Sequence, residues 1–204
     1  MSDYFFRTII DVDLEKVRTE VQRAVDLFGW STGDHICLIH PWEDPGYHNP
    51  FGDSASKRTW QAGRKMSDFK WPNRTFGDSY LFEIWNTLRY STGIPVARMR
   101  IARIRPNRCY SFHNDEERRL HLAVDTNSKA FFVVSEYPRD SNNMPVYPEP
   151  RFVMENLHSY HVSADGFFYN LDANHAHTAF NGGQTERIHL VIETINELND
   201  RPVS

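Results

Sequence analysis

From Val96 to Ile195 the chain reads as one strand after another, and this succession limits the folds open to it more than any other feature. The stretches "VARMRIARI", "RRLHLAVDT", "AFFVVSE", "HSYHVS", "FFYNLDA" and "RIHLVIETI" are rich in β-branched and aromatic residues, and turn chemistry such as "RPN", "SADG" and "NGG" parts them. No helical period lies between them, which predicts an antiparallel sandwich or jelly roll. Upstream, "LEKVRTEVQRAVDLF" sets Leu14, Val17, Val21, Val25 and Phe28 at helical spacing, with Asp13 as N-cap. A second helix is predicted in "SYLFEIWNTLRYSTG", with Leu81, Phe82, Trp85 and Leu88 on one side and Gly93 and Pro95 as its stop. Residues 42–77 show no period and are expected to wrap irregularly on the domain, while the Pro-rich run from Glu136 to Phe152 reads as a lid or an insertion. The expectation is a single domain over 1–204, mainly β with flanking helices, in which residues 1–95, helical and irregular, pack on a β core at 96–195.

Composition narrows the partners. A chain of 204 residues can bury a core without metal or disulfide staples. A net charge of -4 and a pI near 6.2 provide no basic stripe for phosphates, so no nucleic-acid partner is expected. Cys37 and Cys109 form no CxxC pair, which removes zinc-knuckle and thiol-redox motifs and suits reduced thiols in a cytosolic protein. The opening "MSDYFFRTIIDVDLEKV" has acidic residues where a signal peptide needs an apolar run, and no stretch of about 18 apolar residues occurs. No membrane partner and a cytoplasmic location are expected.

One strand carries an unusual load of polar groups. In "SFHNDEERRLHLAV", strand parity puts Leu120, Leu122 and Val124 on one face and Arg119, His121 and Ala123 on the other. A surface strand wetted on its polar face would explain this by itself. A second motif, "LDANHAHTAFNGGQTERIHLVIE", adds a distal histidine entering a strand, a Gly-Gly turn and an arginine opening an apolar strand. Two histidines and one carboxylate on a β scaffold suit non-haem Fe(II), because they fill one face of an octahedron and leave three positions for a 2-oxo acid and dioxygen. His113 and Asp115 supply two ligands, and the third is either His175 or His177. An arginine near the distal histidine would hold the far carboxylate of the co-substrate. His158, His161 and His189 read as non-ligands. A zinc hydrolase lacks a general-base motif such as HExxH here, and a cupin-like binding protein without turnover is the rival reading.

Residues from about Val96 to Ile195 resemble the aspartyl/asparaginyl β-hydroxylase family, whose double-stranded β-helix Fe(II)/2-oxoglutarate dioxygenases include the bacterial free-proline hydroxylases. "RRLHLAVDTNS" looks like the cis-proline hydroxylase pattern in which Arg-x-His-Leu runs into Asp-Thr-Asn. "LDANHAHTAFN" is similar to the family's Leu-Asp-(x)4-His-(Ser/Thr)-Ala segment, which selects His177, and the ten-residue interval to Arg187 matches the family spacing. The resemblance implies a jelly-roll, cupin-like core and His113, Asp115 and His177 as iron ligands. It further implies Arg187 as the partner of the 2-oxoglutarate C5 carboxylate and Arg119 and His121 as lining for the same pocket, with His121 favoured in its protonated form beside an anion. The activity implied is hydroxylation of an amino acid, or of a Pro, Asp or Asn residue in a peptide, with 2-oxoglutarate converted to succinate and CO2. Asp115 sets the chain apart from the animal peptide hydroxylase, which lacks that carboxylate. The N-terminal half and the loop Glu136 to Phe152 match no quoted pattern.

Overall fold

Strands that alternate apolar with polar residues need a dry face and a second surface to enclose, and here two antiparallel sheets provide both as a double-stranded β-helix. The computed structural model describes residues 5–30, 34–41, 66–115, 118–135, 156–173 and 175–195. Its larger sheet runs in the order β1 (Phe5–Asp11), β10 (Phe167–Leu171), β7 (Arg119–Asp125), β12 (Arg187–Thr194), β5 (Val96–Ile104) and β2 (His35–Cys37). The smaller sheet runs β6 (Arg108–Cys109), β11 (His177–Asn181), β8 (Ala130–Ser135) and β9 (Leu157–Tyr160), and β3 (Ile39–His40) pairs with β4 (Trp71–Pro72) apart from both.

The outer face of the larger sheet is apolar and lies under two helices. Leu120, Leu122 and Val124 of β7, Leu190 and Ile192 of β12, and Met99 and Ile101 of β5 pack with Val17 and Val21 of α1 (Leu14–Phe28) and with Leu81, Ile84 and Trp85 of α2 (Tyr80–Asn86). The Asp13 carboxylate caps α1 by accepting from the Lys16 N–H at 3.2 Å, as expected, and Gly29 ends it at φ +65° with its N–H on the Val25 carbonyl. The single helix expected over "SYLFEIWNTLRYSTG" divides in two. The α-helical segment ends at Asn86, and Thr87–Ser91 forms a wider π turn closed by the Thr92 N–H on the Thr87 carbonyl. In that turn Leu88 stays buried while Arg89 reaches the carbonyls of Phe69 and Val96.

A second, smaller core lies between the sheets, where Ala123, Tyr169, Leu171 and Ile104 of the larger sheet meet Phe132, Val134 and Ala179 of the smaller one. The N-terminal region does more than pack on this frame, because β1 and β2 form the two edges of the larger sheet. Most of the irregular stretch and the whole loop Glu136 to Phe152 lie outside the described residues. Among the described residues, no helix is long and apolar enough to cross a membrane.

Leu122 is fully buried between sheet and helices and touches none of the cavity described below. Leu122→Ala should cost about 2–5 kcal/mol through the cavity it opens. Urea unfolding would measure this, and a loss under about 1 kcal/mol would contradict the packing described.

Candidate metal centre

The strand succession brings three side chains to one point. His177 opens β11, and an isolated antiparallel bridge joins it to His113 through His113 N–H to His177 O at 3.0 Å and His177 N–H to His113 O at 2.7 Å. The Asp115 N–H donates to the Ala173 carbonyl at 2.8 Å, just beyond the end of β10, and fixes the third backbone. The two imidazole centroids then lie 4.6 Å apart.

Each imidazole is oriented by a carbonyl two residues before it: His113 Nδ1 lies 2.8 Å from Ser111 O, and His177 Nδ1 lies 2.8 Å from His175 O. A carbonyl only accepts, so each Nδ1 carries the proton and each Nε2 is left as the metal-binding nitrogen. Those Nε2 atoms sit 3.3 Å and 3.5 Å from Asp115 Oδ2, and one ligand atom from each of the three residues lies within 4.8 Å of the others. In the ligand-free protein a proton on His113 Nε2 and the Arg119 guanidinium can satisfy the carboxylate, and the donor set of two imidazoles and one carboxylate fits a first-row divalent metal in place of that proton. His175 stands apart from this set, fully buried with its Nδ1 3.3 Å from the Ser135 carbonyl.

The charge states follow from these neighbours. The Asp115 hydrogen bond raises the His113 pKa above its ordinary 6.5. Burial pushes Asp115 up, but His113, Arg119 and His177 outweigh it and hold the carboxyl at about 2. Burial lowers His177 to about 4, so it is neutral at physiological pH.

A cavity of about 370 Å³ between the sheets contains the three ligands together with Arg119, His121 and Arg187, all of which the sequence singles out. The inner face of the larger sheet forms its floor in register. Glu193 of β12 pairs with Arg119 of β7. Val191 lies between Arg100 and His121, His189 between Ala102 and Ala123, and Arg187 beside Ile104. Parity thus turns Arg119, His121 and Ala123 inward, as predicted.

Arg187 is buried with its guanidinium carbon 4.6 Å from the Phe132 ring centroid, and its Nη2 has no hydrogen-bond partner. Among the described residues no carboxylate pairs with it, and burial lowers its pKa to about 10, so it remains a cation. His121 and His189 lie behind it, each with both ring nitrogens unpartnered. Burial first, and then the Arg187 charge, push both imidazoles well below 6.5. His121 is therefore neutral here, which differs from the protonated form expected from the sequence.

Arg119 has protein partners as well as a place on the cavity wall. Its Nη1 lies 2.8 Å from Asp115 Oδ2 and its Nη2 3.6 Å from Glu193 Oε1. Fully buried Glu193 also takes a two-pronged contact from Arg98, at 2.6 Å on each oxygen, and Arg100 Nη2 at 3.3 Å. The sequence reading missed Glu193, Arg98 and Arg100, yet parity could have found them. In "VARMRIARI" the arginines alternate with Met99 and Ile101, and Glu193 shares a strand face with Arg187, His189 and Val191.

No family model matches the chain, and no curated protein matches it. Solved structures do resemble it. AviO1 from Streptomyces viridochromogenes Tue57 is 14% identical with a TM-score of 0.56, over 99% of this chain and 93% of that one. EvdMO1 is 13% identical with a TM-score of 0.52, over 96% of this chain and 48% of that one. A Pseudomonas putida prolyl-4-hydroxylase is 11% identical with a TM-score of 0.48, over 96% and 94%. The likeness to the first two establishes the fold across nearly the whole chain.

Two outcomes follow from these charge states. A proton on His113 competes with a metal ion for Nε2, so Zn(II) affinity should weaken as the pH falls from about 8 to about 6, by up to about tenfold per pH unit. Calorimetric titration in two buffers would show the released proton, and an affinity flat across this range would contradict the assignment. Arg187 destabilises the ligand-free protein at any pH below about 10, where its buried charge is present. Arg187→Met should therefore stabilise that state, on the order of 1 kcal/mol. A fall in the thermal midpoint would instead reveal a structural partner.

Proposed function

We propose that the chain is an Fe(II)- and 2-oxoglutarate-dependent dioxygenase of the aspartyl/asparaginyl β-hydroxylase kind, acting on an amino acid or an amino-acid residue of Pro, Asp or Asn type. The observation that carries this reading is one cavity containing both the His113–Asp115–His177 convergence and the buried cation Arg187. The balanced reaction takes substrate, O2 and 2-oxoglutarate to hydroxylated substrate, succinate and CO2. Bound iron supplies dioxygen activation, and the 2-oxo acid supplies two electrons.

The chain's own residues position and shield. His113, Asp115 and His177 would hold the metal by one face and leave the remaining positions to ligands. Arg187 would pair with the distal carboxylate of 2-oxoglutarate, and Phe132 under its guanidinium keeps that pair dry, which strengthens it. Neutral His121 can donate one ring N–H to the same ligand. Arg119 anchors Asp115 Oδ2 and holds the carboxylate toward the two imidazoles.

Anaerobic protein should bind one Fe(II) per chain, and added 2-oxoglutarate should then give a weak visible charge-transfer band. In air, succinate release should be stimulated by one member of a panel of free amino acids and peptides, with gain of one oxygen atom in that compound. His177→Ala should lose the iron and His175→Ala keep it. Arg187→Ala should raise the 2-oxoglutarate requirement by orders of magnitude with metal affinity retained, since an unpaired buried carboxylate costs about 3–5 kcal/mol. Metal binding with no 2-oxoglutarate band and no succinate would favour a cupin-like binding protein.

A further inference from the structure

We infer that Glu193 is a positioning residue for the metal centre: it shares the Arg119 guanidinium with Asp115, and so sets how readily Asp115 yields an oxygen to a metal. This rests on the metal-centre part of the dioxygenase reading and on none of its substrates. The oxygen concerned is Asp115 Oδ2, which lies 3.3 Å from His113 Nε2 and 3.5 Å from His177 Nε2. Arg119 Nη1 lies 2.8 Å from this same atom. A guanidinium and a metal ion therefore compete for one oxygen, and whatever else holds Arg119 bears on the outcome.

Glu193 is the second hold on that guanidinium. Its Oε1 lies 3.6 Å from Arg119 Nη2, and the sheet register pairs Glu193 of β12 directly with Arg119 of β7. On its other side Arg98 of β5 grips both of its oxygens at 2.6 Å, and Arg100 Nη2 touches Oε1 at 3.3 Å. Glu193 is fully buried, so its charge is little screened. Opposite charges thus alternate across three strands and into the centre, in the order Arg98, Glu193, Arg119, Asp115. A guanidinium drawn from two sides holds each carboxylate less tightly than one that belongs to Asp115 alone. Without the Glu193 charge, Arg119 would bear undivided on the oxygen that the metal needs. Were Glu193 only an anchor for Arg98, its loss would weaken the fold and impair metal and co-substrate binding alike.

The probe is Zn(II), titrated calorimetrically into the full chain at one pH, with thermal unfolding as a second readout. Glu193→Gln should weaken Zn(II) binding by about tenfold or more, while 2-oxoglutarate added at saturating Zn(II) still raises the unfolding midpoint. In an Arg119→Met background the same substitution should change Zn(II) affinity by about twofold or less, because its effect travels through that guanidinium. Should Glu193→Gln fail to fold without the carboxylate that Arg98 grips, Glu193→Gln combined with Arg98→Met removes the pair as a unit and takes its place. That double variant keeps the net charge of the natural chain, so its equally weak Zn(II) binding cannot come from excess positive charge. The inference is overturned if the variant binds Zn(II) as tightly as the natural chain, if the loss is as large without Arg119, or if the variant loses the 2-oxoglutarate shift as well. A natural chain that binds no Zn(II) sinks the metal centre and the inference with it. One that binds Zn(II) but shows no 2-oxoglutarate shift sinks the dioxygenase reading alone, and the Zn(II) comparison still decides on Glu193.

Discussion

The register of β12, hydrogen-bonded between β5 and β7, is the constraint on which the rest of the structure depends. It sends Ile188, Leu190 and Ile192 to the helices and Arg187, His189, Val191 and Glu193 to the inner face, where Arg187 and Val191 line the cavity. A slip of one residue would place an arginine and a glutamate against α1 and α2 and three aliphatic side chains over His113, Asp115 and His177. The apolar face makes that slip prohibitive, and so the core that stabilises the fold also positions the site. The polar face is costly to bury and is offset where its members meet, as Glu193 meets Arg98, Arg100 and Arg119.

Much of this was legible in the sequence because period-2 alternation is a strong signal wherever one face is dry. The bounds read for "VARMRIARI" coincide with β5, and those of "RIHLVIETI" overrun β12 by one residue. The inward turn of Arg119 and His121 followed from the same parity. The signal failed where strands are short or half exposed. His35–Cys37 offers three residues and no alternation, and β1 is exposed at most of its positions, so neither β1 nor β2 stood out as a strand. The π turn after α2 was equally silent, because helical spacing continues through Leu88.

The site was only partly legible, for a different reason. Ligand spacing within "SFHNDEERRLHLAV" and "LDANHAHTAFN" is local and can be read from the chain, but the residues themselves left His175 and His177 equal. What separates them is tertiary: the bridge to His113 aims His177 at Asp115, while His175 turns to the Ser135 carbonyl. Glu193 was missed because a carboxylate at the end of an apolar strand looks like an exit to solvent, and only the arginines of the neighbouring strands show otherwise.

The three side chains of the candidate centre do not belong to one sheet. His113 and His177 are joined to each other at the head of the smaller sheet, whereas Asp115 is hydrogen-bonded beyond the end of β10 and leads into β7 of the larger one. A metal bound by all three is thus a cross-link between the two walls of the sandwich, and its effect on the chain resembles that of a disulfide closing a long loop. A metal held there would couple the separation of the walls at the cavity to its own binding. Binding affinity and the rigidity of the pocket would then be linked free energies in this fold.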